Sequence, residues 1–482
     1  MGQPRPTLRS RSCRLDWAEG NGGTTNLKRV SNQNLHSPAG ENSLVPIDAD
    51  SAARLAARGL RLGLVDTADR VAFGAWIHAE ARGFHGASPT PESVDAQLVS
   101  LAYRRSTGVW DASAAEENSP VATVSSWLTE LTVPGRSSVQ AWAISAVTVA
   151  ATHRRKGIAR ALLEAELRTA HAVGASLAIL TVSESTIYGR FGFAPAVMMT
   201  DWAIDSRRAV WAGPDSLGRV QFVTLDQLRT DGLEIIDRVR LDVPGQIEFS
   251  GYLWERMLGL GADDKDLAKQ LRFVRYDDSA GEAQGFAIFR MIESLVDYSA
   301  HTLELVYLAS ATDDGYASLW RFLLEMDLVG TVSAPLRSIV EPVLWQITDF
   351  RAARATMSRD HLWTRILDVP AALSARRYGA PGVASGAIVL DVSDPLGFAD
   401  GLFLLTILAD GSAEIVPLLG EAPDDAAAVA LTINELSALY LGGVSAVTLT
   451  RAGSITELRP GSAVRVDAAF RSEVAPWLSI WF

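Results

Sequence analysis

Residues 140–182 hold the pattern that most narrows the fold. QAWAISAVTV (140–149) is an apolar run rich in Ala, Ile, Val and Trp and reads as a strand. After it comes ATHRRKGIARALLEAELRTAHAVGA (151–175). There Ile158, Leu162, Leu163, Leu167 and Val173 recur at helical spacing, and Gly174 supplies a stop. LAILTV (177–182) is a second, short buried strand, and a further helix ends in the turn Gly189-Arg190-Phe191-Gly192-Phe193. Strand, helix, strand and helix in so few residues predict a parallel or mixed α/β sheet with a crossover.

The alternation divides the chain. At 482 residues it is long enough for three domains. Residues 1–61, with NGGTTNLKRVSNQN, have few apolar residues at any period and read as a disordered arm. Residues 62–206 form the first α/β unit, including a helix over 70–84 and a strand over 121–127. Residues 207–362 repeat the pattern more weakly, with strands at 283–292 and 302–308 and a helix at 316–328. Residues 363–482 change character to α+β, with a hairpin turn at Asp410-Gly411 and an amphipathic helix over 431–441.

Composition excludes several classes. A net charge of −12 is wrong for a general nucleic-acid binder. One cysteine, Cys13, rules out an internal disulfide framework and a cysteine-based zinc site. The seven histidines form no metal-binding pattern, so no metal is expected. No run reaches the ~18–20 apolar residues of a membrane span, and the N-terminus lacks the apolar core of a signal peptide. The expectation is a cytoplasmic protein.

The chemistry centres on VTVAATHRRKGIA (147–159), where a strand ends, a basic loop follows, and a helix opens at Gly157. Unpaired amide groups and the helix dipole attract an anion there. Gly157 has no Cβ to keep a phosphate away, and Arg154, Arg155, Lys156 and Arg160 add positive charge. It is not a Walker loop, because no G-K-[ST] follows. Tyr188, a few residues before the Gly-Phe turn, carries a phenol able to protonate a leaving thiolate, and the same residue would also suit a packed core position. His153 reads as a polar turn residue; His78 and His85 suit either a surface or a pocket wall. Asp263, Asp264 and Asp266 read as a solvated run of charge.

The spacing Arg154-x-x-Gly157-x-Ala159 resembles the R/Q-x-x-G-x-G/A signature of the GCN5-related N-acetyltransferases (GNAT). The longer string VTVAATHRRKG…SESTIYGRFGFAPA resembles the enhanced intracellular survival (Eis) family. So do DHLWTRILDVPAALSAR (360–376), Ala438-Leu-Tyr-Leu-Gly-Gly443 and a chain that ends on Phe, for a coverage of about 62–482. This resemblance implies tandem acetyltransferase folds, the second lacking the cofactor motif, followed by a sterol-carrier-like domain.

It also implies an acetyl-CoA-dependent N-acetyltransferase working by direct attack in a ternary complex, in a homo-oligomer, a hexamer. Val147, Thr148 and Val149 would line the acetyl-pantetheine arm. Arg155, Lys156, Gly157, Ile158, Ala159 and Arg160 would form the pyrophosphate loop. Ser183 and Glu184 would complete the cleft. Tyr188 would be the general acid and the α-carboxylate of Phe482 the general base. Family members that take aminoglycosides carry acidic residues where this chain has Trp481 and Gly86, which favours a smaller or more apolar amine. The alternative from another class is a non-catalytic carrier of an apolar ligand with a vestigial acetyltransferase domain.

Overall fold

The computed structural model describes residues 45–261, 266–379 and 386–482. Cys13, Asp263 and Asp264 lie outside them. Two α/β halves build one twelve-stranded sheet. The first half supplies β1 (Leu60–Leu64), β2 (Arg105–Asp111), β3 (Ala122–Val133), β4 (Ser137–Val149), β5 (Leu177–Thr181) and β6 (Ala194–Asp205). The second supplies β7 (Arg219–Phe222), β8 (Leu271–Asp277), β9 (Ala283–Ile292), β10 (His301–Ser310), β11 (Val329–Arg337) and β12 (Ala353–Ile366).

Their spatial order is β1-β2-β3-β4-β5-β12-β6-β11-β10-β9-β8-β7. The two halves have exchanged their last strands. β12 lies between β5 and β6 of the first half, and β6 lies against β11 of the second. The predicted boundary at 362 therefore falls inside β12. Composition changes there because the strand passes from exposed (354–359) to fully buried (361–366), and the domain change follows it.

The sheet has two covered faces in the first half. The helix Ile158–Ala172 packs on one, burying Leu162, Leu163 and Leu167 with Trp142, Ala178 and Leu180. The helix Arg70–Gly83 covers the other with Phe73, Trp76 and Ile77. A third cluster on this second side joins Trp127, Ala143 and Ile179 to Phe286 and Tyr307 of the second half and to the C-terminal domain.

Part of the segment read as a disordered arm is ordered. A helix, Ala49–Ala56, is capped by Asp48 and runs into β1. It docks on the helix Ile158–Ala172 through Leu55 and a bidentate Arg168–Asp48 pair at 2.8 and 2.7 Å. These contacts are long-range, so local composition did not reveal them.

The C-terminal domain has a second sheet, ordered β15-β14-β13-β16-β17, from β13 (Gly386–Ser393), β14 (Gly401–Ile407), β15 (Ala413–Pro417), β16 (Ala427–Thr432) and β17 (Thr456–Glu457). β14 and β15 are antiparallel, with Gly411 at φ 78° in the predicted turn. The expected helix over 431–441 is shorter, Ile433–Leu439, because its first residues finish β16 and Thr432 becomes the cap.

This domain is bound to the first half by polar contacts, those of Arg365 buried. Arg365 on β12 is 0 % exposed; it pairs with Asp394 through two 2.8 Å bonds and donates to Phe191 O at 2.7 Å. Asn434 donates to Gly189 O and Phe193 O, both at 2.8 Å. Replacing Asp394 by Ala would leave the Arg365 charge buried and unpaired. The expected loss is about 3–5 kcal/mol, read as a lowered denaturant or thermal midpoint, with Asp394→Asn falling between the two.

Candidate active site

The cleft begins where β4 and β5 part. Their parallel pairing covers only Ala141↔Leu177, Trp142↔Ala178 and Ala143↔Ile179, yet β4 continues to Val149. β5 meanwhile stays paired with β12 up to Thr181. The edge of β4 over 144–149 is thus open toward β5. A bulge sharpens this divergence. The register with β3 jumps between Thr123↔Thr148 and Ser125↔Ser145, and Ala146 has φ 54°. Thr123 holds the bulge by donating to Ala146 O at 2.8 Å and by its 2.7 Å contact with the Thr148 hydroxyl.

Val147 and Val149 pack against the core beneath the helix Ile158–Ala172, leaving their backbone at the cleft edge. Thr148 faces the other way, against Gly83, where a Cβ would come within 2.4 Å of the Thr148 Cβ. The helix Arg70–Gly83 can approach so closely only because residue 83 is glycine.

The basic loop follows. Arg155 and Gly157 both take left-handed conformations, at φ 63° and 75°, and curl the chain into the helix start. Ile158 is buried, Ala159 is half-buried, and Arg154, Arg155, Lys156 and Arg160 are exposed. Among the described residues no side chain caps this helix, so its first amides stay available to an anion. Arg160 is engaged by Glu164 at 2.7 Å. His153 is tied to Asp111 at 3.0 Å, which, after the Ser113 hydroxyl, holds the Asp111 carboxyl down at about 2.

The matching place in the second half has opposite chemistry. The helix Asp313–Leu324 starts with Asp313 and Asp314 and is capped by Thr312, which accepts from Gly315 N at 3.0 Å. Two carboxylates repel a phosphate where the first half presents Arg and Lys.

Ser183 and Glu184 are exposed between β5 and the short helix Ser185–Tyr188. Tyr188 is buried, edge-on to Phe193 at 6.2 Å. Burial, and then the Glu184 charge, push its phenol up to about 12. It therefore stays protonated through the neutral range, as a proton donor must.

The tail returns to the same end of β5. Thr181 donates to the terminal oxygen of Phe482 at 3.0 Å, and the Phe482 ring stands edge-on to Trp127 at 5.5 Å. Four contacts hold the approach to this point. Gln246 donates to Trp477 O at 3.0 Å, and Ser479 donates to Gln246 at 2.9 Å. The Tyr307 hydroxyl meets Ser479 at 3.2 Å, and His361 Nε2 donates to Ile480 O at 2.8 Å. Trp481 lies between His361 (4.4 Å between ring centres) and Arg359 (5.1 Å).

The structure thus puts the start of the loop helix and Tyr188 in one cluster with Val147 and Val149, and holds Phe482 at the end of β5, packed on the neighbouring cluster. Sequence reasoning missed Trp127, Thr181, Gln246, Tyr307 and His361 as site residues; His361 lies inside the family-like string 360–376, but nothing in that string gave it a role. It also missed Glu80, a carboxylate on the sheet side of the helix Arg70–Gly83. Burial raises its pKa against the opposing charge of Arg104, which stacks on Trp127 at 3.9 Å. His78 and His85 are exposed and line an open cleft of about 670 Å³ with Arg82, Glu116 and Ser119.

Comparison with known proteins agrees with this architecture. Residues 68–196 and 245–366 each match an acetyltransferase (GNAT) domain family, and residues 369–479 match a sterol carrier protein domain family. The fold and cleft define a GNAT-type acetyltransferase with a carrier-like third domain. N-acetyltransferase Eis of Mycobacterium tuberculosis is 34% identical over 355 residues, spanning 71% of this chain and 81% of that protein. An uncharacterised N-acetyltransferase of Streptomyces coelicolor is 35% identical over 414 residues, 84% of this chain and 95% of its own. The solved structure of Eis1 from Mycobacterium abscessus superposes with a TM-score of 0.71 at 25% identity, covering 88% of this chain and 100% of that one. The chain belongs to the Eis family of N-acetyltransferases. The catalytic reading therefore holds over the non-catalytic carrier.

Among the described residues, no group of three or more His, Cys, Asp or Glu could hold a metal ion. None of their helices is long and apolar enough to cross a membrane.

His361 makes the tail pH-sensitive. Burial, the largest effect, lowers its pKa from 6.5 to about 4, so the neutral ring is the folded form. Its contribution is complete above pH 6.5 and is lost as pH falls through 4, a change of roughly 3 kcal/mol. His361→Gln, which keeps a donor for Ile480 O, is expected to flatten the fall of the thermal midpoint between pH 6.5 and 4.

Proposed function

We propose that the protein transfers an acetyl group from acetyl-CoA to an amine by direct attack within a ternary complex. One observation carries the proposal: the Phe482 terminus is held by Thr181 at the end of β5, beside the parting of β4 and β5 and seven residues before Tyr188. The first half fits the donor. Arg155, Lys156, Gly157, Ile158, Ala159 and Arg160 would take the pyrophosphate, and the open edge of Val147, Thr148 and Val149, with Ser183 and Glu184, the pantetheine arm.

The steps balance without a metal or a covalent enzyme intermediate. The amine nitrogen attacks the thioester carbon, and the Phe482 carboxylate accepts the proton that the nitrogen loses. The C–S bond then breaks, and the Tyr188 hydroxyl protonates the departing thiolate of CoA. Exchange with solvent returns both groups to their starting states. Tyr188 suits the role because its hydroxyl makes no hydrogen bond among the described residues and its raised pKa keeps it protonated through the neutral range.

The acceptor we infer is a compact or partly apolar amine. Trp127, Trp481 and Phe482 supply aromatic surface, and Glu80 supplies one carboxylate in place of a cluster. Tyr188→Phe, and a C-terminal extension that turns the Phe482 carboxylate into an amide, are each expected to lower kcat about 10²–10⁴-fold. Acetyl-CoA affinity, measured by thermal shift, should stay within a few-fold. Equal turnover of extended and native enzyme, followed by thiol release, would refute the role of the terminus.

We extend this reading to a cytoplasmic homohexamer. Supporting the assembly are exposed apolar side chains away from the cleft, including Leu295, Val296 and Trp345, which are 98%, 98% and 80% exposed. Light scattering is expected to give six times the chain mass at micromolar concentration, and a monomer would refute it.

A further inference from the structure

The helix Ala49–Ala56 precedes the matched acetyltransferase domain, yet it ends at the basic loop. Arg58 sits in the turn between this helix and β1, and both sides of the turn are fixed. Its own amide bonds to Leu55 O at 2.9 Å, and Gly59 N bonds to Ala56 O at 3.0 Å before β1 pairs with β2. The helix is fastened to the helix Ile158–Ala172 at Asp48–Arg168, at Ser51 Oγ to Ala161 O (2.8 Å), and at Arg54–Glu164 (2.6 Å). From there the Arg58 guanidinium donates to Lys156 O. It also lies against Gly157, where a Cβ would be 2.9 Å from its Nη1.

The peptide joining Lys156 to Gly157 is planar and trans, so its carbonyl and its N–H point in opposite directions. Holding the carbonyl on the Arg58 side sets the Gly157 N–H on the other side. Gly157 caps the helix whose free amides form the anion site. Arg58 also adds charge that stays available: no carboxylate pairs with it among the described residues, whereas Arg160 is engaged by Glu164.

We propose that Arg58 is a positioning residue for the diphosphate of the acyl-CoA donor, and that the N-terminal helix is part of the donor site. This rests on the reading of the basic loop as the pyrophosphate site. Arg58 orients the 156–157 peptide and raises the local potential without touching the reacting atoms.

The test compares two donors in the full-length enzyme: acetyl-CoA and S-acetylpantetheine, which lacks the diphosphate. Arg58→Ala should raise KM for acetyl-CoA about 5- to 20-fold, with kcat at saturation and KM for S-acetylpantetheine within twofold of the native values. Arg58→Lys should recover part of the loss. A second variant, Asp48→Ala, which loosens the helix anchor, should show the same donor-selective effect. Unchanged KM for acetyl-CoA in Arg58→Ala would overturn the proposal, as would equal loss with both donors. If the native enzyme itself showed no preference for acetyl-CoA over S-acetylpantetheine, the pyrophosphate reading would fail instead.

Discussion

The exchange of β6 and β12 is the constraint on which the other features depend. A strand edge inside a sheet must have its backbone groups paired. In this chain the edge of β5 is paired by a strand made almost two hundred residues later. That pairing fuses both halves into one sheet and keeps β5 straight to Thr181 while β4 bends away at its bulge. It also delivers Arg365 and His361, both on β12, to the turn after Tyr188 and to the C-terminal tail. A single ladder thus places the cleft, the clamp on the tyrosine turn and the anchor of the terminus.

The two halves share a topology and differ in what their equivalent helices present. The helix Ile158–Ala172 starts with a glycine and exposed cations, and its first amides are uncapped. The helix Asp313–Leu324 starts with a threonine cap and two aspartates. A left-handed glycine cap with exposed cations leaves one helix end open to an anion, and an extended threonine cap followed by two aspartates makes the other repel one. The second half is used differently: Gln246, Tyr307 and Leu336 hold the tail on its way to Phe482, with Trp477 Nε1 donating to Leu336 O at 2.9 Å. It works as a guide for the residues that reach the first half's cleft.

Much of the fold was legible from local pattern. The helix at Arg70, the strand–loop–helix around Gly157, the strand Ala283–Ile292 and the turn at Gly411 all rest on periodicity or backbone conformation that neighbouring residues dictate. The helix expected over 316–328 starts three residues earlier and ends at Leu324, because Thr312 caps it and Leu328, at φ 64°, turns the chain into β11. Where local pattern was weak, the reading erred. The ordered segment 45–61 looked like an arm because its stability comes from Arg168, Glu164 and Ala161, over a hundred residues away.

The sequence by itself determined the chemistry on offer. Arg, Lys and Gly at the start of one helix, Tyr188 before a Gly-Phe turn, and Phe482 beside Trp481 are identities that no folding step can alter. Their periodicities also set the α/β character of each half. Only the tertiary structure decided which of these groups meet. It exchanged the strands, bulged β4 at Ala146, and carried the terminus to Thr181. It put His361 under the tail and gave Arg58 a carbonyl to hold. Backbone pairing and burial act across any sequence separation, whereas spacing along a chain reports only on neighbours.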